Sequence, residues 1–143
     1  SPAVADDTIY IGSRDNNVYA LSTRDGSEQW SNQTGDVVQS SPAVVDGTVY
    51  VGSYDNSVYA LSAQDGSVQW SYQTEDAVYS SPTEVNGTVY VGGHDDNVYA
   101  LSARDGSEQW SFDTGESVYS SPTVADGIVY VGSANANVHA LSA

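Results

Sequence analysis

Residues 48–70, TVYVGSYDNSVYALSAQDGSVQW, decide the fold of this chain. Thr48–Ser53 is a run of threonine, valine and tyrosine broken by Asp55-Asn56. Val58–Ala63 follows and ends at Asp65-Gly66, and Val68–Thr74 comes next. Just upstream, the short apolar run Ser41–Val45 is broken by Asp46-Gly47. Short β-branched and aromatic runs separated by Asp-Gly or Asn-Gly pairs predict strands joined in hairpins, with type I′ turns at the pairs. No segment carries a helical period. The stretch therefore reads as four strands, and the fold as all-β.

Outward from this stretch the same unit recurs. Ser41-Pro42 returns as Ser81-Pro82 and Ser121-Pro122, and Trp30 returns as Trp70 and Trp110. Aligning residues 41–80 with 81–120 gives 26 identities in 40 positions. Units 1–40, 41–80, 81–120 and an incomplete 121–143 make up a single domain, 1–143. A period of this length means a propeller, a solenoid or another array. It also means that most recurring residues are there because each unit needs them, whatever the domain does.

Side-chain alternation places each strand. Val49 and Val51 share one face of the second strand, with Tyr50 and Gly52 on the other. In the third, Val58 and Ala60 oppose Tyr59 and Leu61. Both faces are apolar, so these strands should be covered on both sides. In the fourth, Val68, Trp70 and Tyr72 alternate with Gln69, Ser71 and Gln73, as expected of an outermost strand with one wet face. Covered inner strands and a half-exposed outer strand describe propeller blades. The expected architecture is a β-propeller of four four-stranded blades, the fourth lacking its outer strand.

The segment Ala60-Leu-Ser-Ala-Gln-Asp-Gly-Ser-Val-Gln-Trp70, repeated at 20–30 and 100–110, resembles the tryptophan-docking motif of PQQ-like β-propeller repeats, Ala-x-Asp-x-x-Thr-Gly-x-x-x-Trp. Ala60, Gly66 and Trp70 match; Ser62 and Asp65 depart from the Asp and Thr positions. The likeness implies structural docking roles for Trp30, Trp70 and Trp110, for Ala20, Ala60 and Ala100, and for Gly26, Gly66 and Gly106, each Trp packing between blades. Family rings commonly have six to eight blades, so four blades suggest half of an eight-bladed ring, completed by self-association or by further chain. A closed four-bladed ring and open or swapped arrangements are the alternatives.

Nineteen acidic residues face three arginines and no lysine, for a formal net charge of −16. Such a field repels nucleic acid and anionic membrane and strains the compact state by self-repulsion. At about 1 M salt the Debye length falls to roughly 3 Å and the strain largely disappears. Loss of lysine beside abundant aspartate resembles proteins of extremely halophilic archaea; an acidic mesophilic domain is the alternative. There is no cysteine, hence no disulfide, thiol chemistry or Cys-ligated zinc. No apolar run is long enough for a membrane span, and no signal peptide or initiator Met is seen; a processed protein or a piece of a longer one is the expectation.

Family dehydrogenases hold their quinone over a Trp floor with calcium, assisted by Arg or Lys and often a vicinal disulfide. This sequence offers no Lys, no Cys and only Trp residues at docking positions, so an enzyme is not expected and no cofactor is assigned. A quinoprotein fragment or half-ring is the alternative function. A weak cation site is another, with Asp15, Asp55, Asp95 and Asp96 as candidate ligands, since calcium favours clustered oxygens. The same residues are what such turns require for their own sake. His139 stands where Tyr19, Tyr59 and Tyr99 stand and reads as a replacement; His94 sits beside Asp95 and Asp96. No Gly-x-Ser-x-Gly elbow accompanies the serines.

The most variable loop tips are Arg14, Tyr54, His94 and Ala134. With Glu75, Asp76 and Glu116 of the loops between units, they should share one acidic face, because both loop sets leave a propeller on the same side. Loops on a rigid frame usually carry function, so a partner-binding surface is expected there. Two sequons, Asn32-Gln33-Thr34 and Asn86-Gly87-Thr88, together with family habit, suggest an extracellular or cell-surface scaffold.

Overall fold

The computed structural model describes residues 1–143 and contains fifteen β-strands and no helix. They form four antiparallel meanders in chain order. The first sheet holds β1 (Ala3–Ala5), β2 (Thr8–Gly12), β3 (Asn17–Ser22) and β4 (Glu28–Gln33). The second holds β5 (Ala43–Val45), β6 (Thr48–Gly52), β7 (Ser57–Ser62) and β8 (Val68–Gln73). The third holds β9 (Thr83–Val85), β10 (Thr88–Gly92), β11 (Asn97–Ser102) and β12 (Glu108–Asp113). The fourth stops at three strands, β13 (Thr123–Ala125), β14 (Ile128–Gly132) and β15 (Val138–Ser142). Strands β1, β5, β9 and β13 neighbour one another in turn. The first strand of each sheet is thus innermost, and the sheets fan outward as propeller blades.

Two turn chemistries alternate, where the sequence suggested one. Between the first and second strands of each blade, both turn residues have positive φ: Asp46 and Gly47 (48° and 75°), Asn86 and Gly87 (53° and 83°). That is the type I′ hairpin expected of such pairs. At Asp65-Gly66 only the glycine is left-handed (φ 73°), and the strand register shifts between Ala60 and Leu61. This is a longer turn ending in a bulge, so the type I′ expectation fails here. The four-residue turn closes by Gly66 N–H donating to Ser62 O at 2.8 Å, with the Asp65 carboxylate accepting from the Ser67 hydroxyl at 2.7 Å.

The blade interfaces follow one plan. Tyr10, Val18, Ala20, Trp30 and Val38 of the first blade meet Val49, Val51 and Leu61 of the second. Tyr50, Val58, Ala60, Trp70 and Val78 then meet Val89, Val91, Tyr99 and Leu101. Tyr90, Ala100, Val98 and Val118 meet Val129 and Val131 of the last blade. Full burial of each valine or leucine is worth about 1.5–3 kcal/mol, so these seams hold the arc together.

Each tryptophan pairs with its own blade's alanine: Ala20 with Trp30, Ala60 with Trp70 and Ala100 with Trp110. Trp30 and Trp70 then reach into the next blade. Trp30 Nε1 donates to Ala63 O and Trp70 Nε1 to Ala103 O, both at 2.9 Å. Their rings cover Gly66 and Gly106, where a Cβ would fall 2.5 Å and 2.6 Å from the indole. Gly26 has nothing within 4 Å, and Trp110 has no following glycine turn to cover.

The arc is open. The first blade shows solvent one apolar face, with Val4 67% exposed, and the fourth shows the opposite face through Tyr130 and Val138. Coverage of inner strands on both faces therefore holds for the second and third blades and fails for the end ones. Val68 is also exposed, because the bulge at Gln69 within β8 pairs it with Leu61 and takes it out of line with Trp70 and Tyr72.

Candidate functional site: the loop face

The β2–β3 type loops and the loops between blades do meet on one face. Tyr54 N–H donates to Val37 O, His94 N–H to Ala77 O and Ala134 N–H to Ser117 O, each at 2.9 Å. Every tip is thus clamped by the loop leaving the preceding blade. Arg14, at the open end, has no preceding loop. The remaining arginines lie at the opposite end, Arg24 being 3.9 Å from Asp7.

The acidic tips are turn and joint residues. Asp55 Oδ2 accepts from the Tyr59 hydroxyl and from Gly35 N–H, both at 2.7 Å. Asp95 Oδ2 accepts from the Tyr99 hydroxyl at 2.7 Å and from Glu75 N–H at 2.9 Å. One carboxylate therefore ties its own third strand to the preceding blade's exit loop. Asp15 holds only its local partners, Tyr19 at 2.6 Å and Asn17 N–H at 3.1 Å. In the last blade Asn135 makes the joint instead, donating to Thr114 O at 2.9 Å. Asp96 is left-handed (φ 69°) and accepts from the Ser117 hydroxyl at 3.3 Å. No three His, Cys, Asp or Glu side chains gather closely enough to hold a metal ion, and Asp15, Asp55 and Asp95 sit one per blade. Asp55 Oδ1 is enclosed without a partner.

These joints set the local ionisation. Burial, then the Asp55 carboxylate, pushes the Tyr59 hydroxyl up to about 12. Tyr99 is raised further for the same reasons, with Asp95 as its partner. Asp76 is held below the usual carboxylate range by its hydrogen bond to His94, Nδ1 to Oδ2 at 3.0 Å. Burial raises Tyr54, with Tyr79 next in effect; the nearby Arg14 charge opposes and Asp36 adds.

Four rings from four loops pack together on this face. Tyr54 and Tyr79 lie 4.3 Å apart between centroids, tilted by 55°. Tyr79 also meets His94 at 5.4 Å and Tyr119 edge-on at 5.6 Å. His94 closes the set on Tyr119 at 5.6 Å. Of these, Tyr54 and His94 stood out in the sequence as variable tips; Tyr79 and Tyr119 did not. The signal was the exchange of Gln39 for tyrosine at the same place in the next two units. Glu75, Asp76 and Glu116 lie in the same loops, as expected. His139, by contrast, packs on Phe112 at 5.6 Å and contacts the Ser133 hydroxyl, with none of the four rings as a partner. Asn32 of the first sequon spends its amide on Gly66 O at 2.9 Å, and Asn86 of the second is a turn residue. Two shallow clefts, of about 480 and 600 Å³, lie at the opposite end, beside Asn86 and Asp126 and beside Asp6 and Gln64.

Four-stranded meanders fanned around a shared set of inner strands define a β-propeller repeat protein. The family model described as outer membrane protein assembly factor BamB matches residues 1–85 and 76–143, and the chain belongs to this PQQ-like propeller family. Among solved structures, BamB from Moraxella catarrhalis superposes with a TM-score of 0.84 at 22% identity, over 95% of this chain and 46% of that one. The computationally designed Ika4 protein gives 0.89 at 17% identity, over 99% of this chain and 88% of Ika4. Quinohemoprotein alcohol dehydrogenase from Comamonas testosteroni gives 0.81 at 22% identity, over 93% of this chain and 28% of the enzyme. At these identities each likeness speaks to the fold alone. The chain spans less than half of the Moraxella BamB, and no curated protein matches it. No helix is long and apolar enough to cross a membrane.

Proposed function

We propose that this chain is a non-enzymatic propeller scaffold that binds a protein partner through its loop face. One observation supports this reading above others. Units that repeat almost unchanged in their strands differ at Arg14, Tyr54, His94 and Ala134 and at Gln39, Tyr79 and Tyr119, and these positions meet on one side of the fold. A photo-crosslinking residue placed at Tyr54, compared with one at Arg24 on the opposite end, tests it in extract from the source cells. A defined adduct from the Tyr54 position alone is expected. Equal labelling from both positions, or none from Tyr54, removes the loop face as the partner site.

Self-association is the second element of the proposal. The uncovered faces of the first and fourth blades are unmatched copies of the two halves of a seam made three times within the chain. A second copy offers both complements, and two copies form a closed ring of eight blades. Light scattering in high salt should give twice 15.1 kDa; a monomer at that mass overturns the ring.

The finer features belong to the same reading. Trp30 and Trp70 act as docking pegs between blades, and the charge of −16 suits a chain working in high salt, in keeping with a halophilic archaeal source and an extracellular or cell-surface setting. Far-UV circular dichroism across a salt series checks this: structure should grow with salt, and full structure without salt rejects it. The competing enzyme reading, a quinoprotein fragment, requires dye reduction on addition of PQQ and calcium; none is expected.

A further inference from the structure

The aromatic cluster on the loop face differs from everything else the repeat makes. Apart from Tyr72, which packs on Tyr99, tyrosines elsewhere recur in every complete unit and serve seams or joints. Tyr54, Tyr79, His94 and Tyr119 occur only in the middle of the arc, where Arg14, Gln39 and Ala134 hold the matching positions at its ends. Their rings touch at 4.3 to 5.6 Å. Tyr54 and His94 are fixed by the preceding exit loop, and Val78 and Val118, next to Tyr79 and Tyr119, donate to Ser53 O and Gly93 O at 3.0 Å, so the cluster is held in place before any ligand arrives. It is also open to solvent, with Tyr119 53% exposed.

Charge says what such a surface takes. The loops that carry the rings also carry Asp55, Glu75, Asp76, Asp95, Asp96 and Glu116, with Asp36 in the loop that clamps Tyr54, opposed on this face by Arg14 alone among arginines and lysines. The faces of tyrosine rings attract cations, and guanidinium stacks on them while its edges reach carboxylates. Anionic ligands meet a net charge of −16 and are repelled. The His94–Asp76 pair fixes one edge of the cluster at 3.0 Å and leaves the tyrosine side free.

We propose that the Tyr54–Tyr79–His94–Tyr119 cluster is a binding site for a basic segment of a partner protein, taking an arginine side chain on its tyrosine faces with the loop carboxylates at its rim. This deepens the scaffold reading and rests on it, since it names the chemistry of the partner at that face.

The test uses the full chain and two peptides, an arginine–glycine alternating heptapeptide and the same peptide with citrulline in place of arginine. Binding is followed through the tyrosine ring resonances in 1 M KCl, where bare Coulomb attraction between exposed charges is screened within about 3 Å. The arginine peptide should shift Tyr79 and Tyr119 signals and bind at least tenfold more tightly than the citrulline peptide. Tyr119→Phe keeps the ring face and should retain binding; Tyr119→Leu keeps an apolar side chain without the face and should lose about tenfold. Because Tyr119 is half exposed, both variants should keep the wild-type circular dichroism. Equal binding of the two peptides, absence of binding, or indifference to Tyr119→Leu overturns the proposal. A crosslinked partner at Tyr54 that lacks a basic segment at the junction overturns this inference alone and leaves the scaffold reading in place.

Discussion

The second and fourth blades share most of their sequence yet sit in different surroundings. Val58 and Tyr50 are 0% and 4% exposed, whereas their counterparts Val138 and Tyr130 are 79% and 41% exposed. The residues are the same; the neighbour is what differs. A blade of this kind owes its core to the next blade along, and its own strands supply only half of each seam. Stability in such arrays is close to a sum over adjacent pairs.

The sharpest way to break this comparison is at the tryptophans. Trp70→Ala empties a filled seam and frees Ala103 O of its partner, a loss of about 3–5 kcal/mol by the usual cost of deleting a buried aromatic. Trp110→Ala removes an indole that is only half-buried, and should cost about 2 kcal/mol by area. Urea unfolding of the two variants compares them; equal losses would mean that the blades stabilise themselves.

The strand plan was legible because the unit repeats and each strand's alternation could be read several times over. Ser41–Val45 shrinks to Ala43–Val45 in the fold, since Pro42 has no N–H to give to a ladder. Other limits move by a residue. The landing place of Trp30 on Gly66 was not legible, because local pattern carries no record of which atoms face across a gap of 36 residues. For the same reason Asp55 and Asp95 looked like possible cation ligands, when each is a joint between a tyrosine and the previous exit loop. Tyr79 and Tyr119 were hidden differently: they interrupt no motif, and only their arrival beside Tyr54 and His94 gives them meaning.

A smaller difference should appear at a serine that stitches each entry loop to its second strand. Ser80 Oγ donates to Gly92 O at 2.9 Å and accepts from Gly92 N–H at 2.6 Å, all buried. Ser120 makes the same pair with Gly132 at 2.9 and 2.8 Å, in solvent. Ser80→Ala strands two buried backbone groups and should cost about 1–3 kcal/mol. Water replaces the hydroxyl in Ser120→Ala, so its effect should stay within about 0.5 kcal/mol. Chemical denaturation midpoints for the pair decide it.

The smallest effect is a titration. The Tyr59 hydroxyl is raised from 10.0 to about 12, so the fold holds that proton more tightly than the unfolded chain does. Its contribution is complete below pH 10 and is lost as pH rises toward 12. Tyr19 is raised too, chiefly by its bond to Asp15, but it lies at the open end without an exit loop over it. Tyrosinate absorbance should show Tyr59 ionising last of the two, and Tyr59→Phe should remove that late component. Ionisation of Tyr59 at or before Tyr19 would show that the preceding loop does not seal the joint.

Because the indole of one blade rests on the glycine turn of the next, the natural quantum of change in this chain is a whole unit of forty residues. Inserting or deleting one shifts every peg onto an equivalent turn and leaves each contact with a partner of the same kind. Cutting within a unit instead strands a tryptophan on one side or a bare glycine on the other. The array can therefore lengthen or shorten in even steps during evolution or in the laboratory, with circumference as the free variable and the seam as the fixed part.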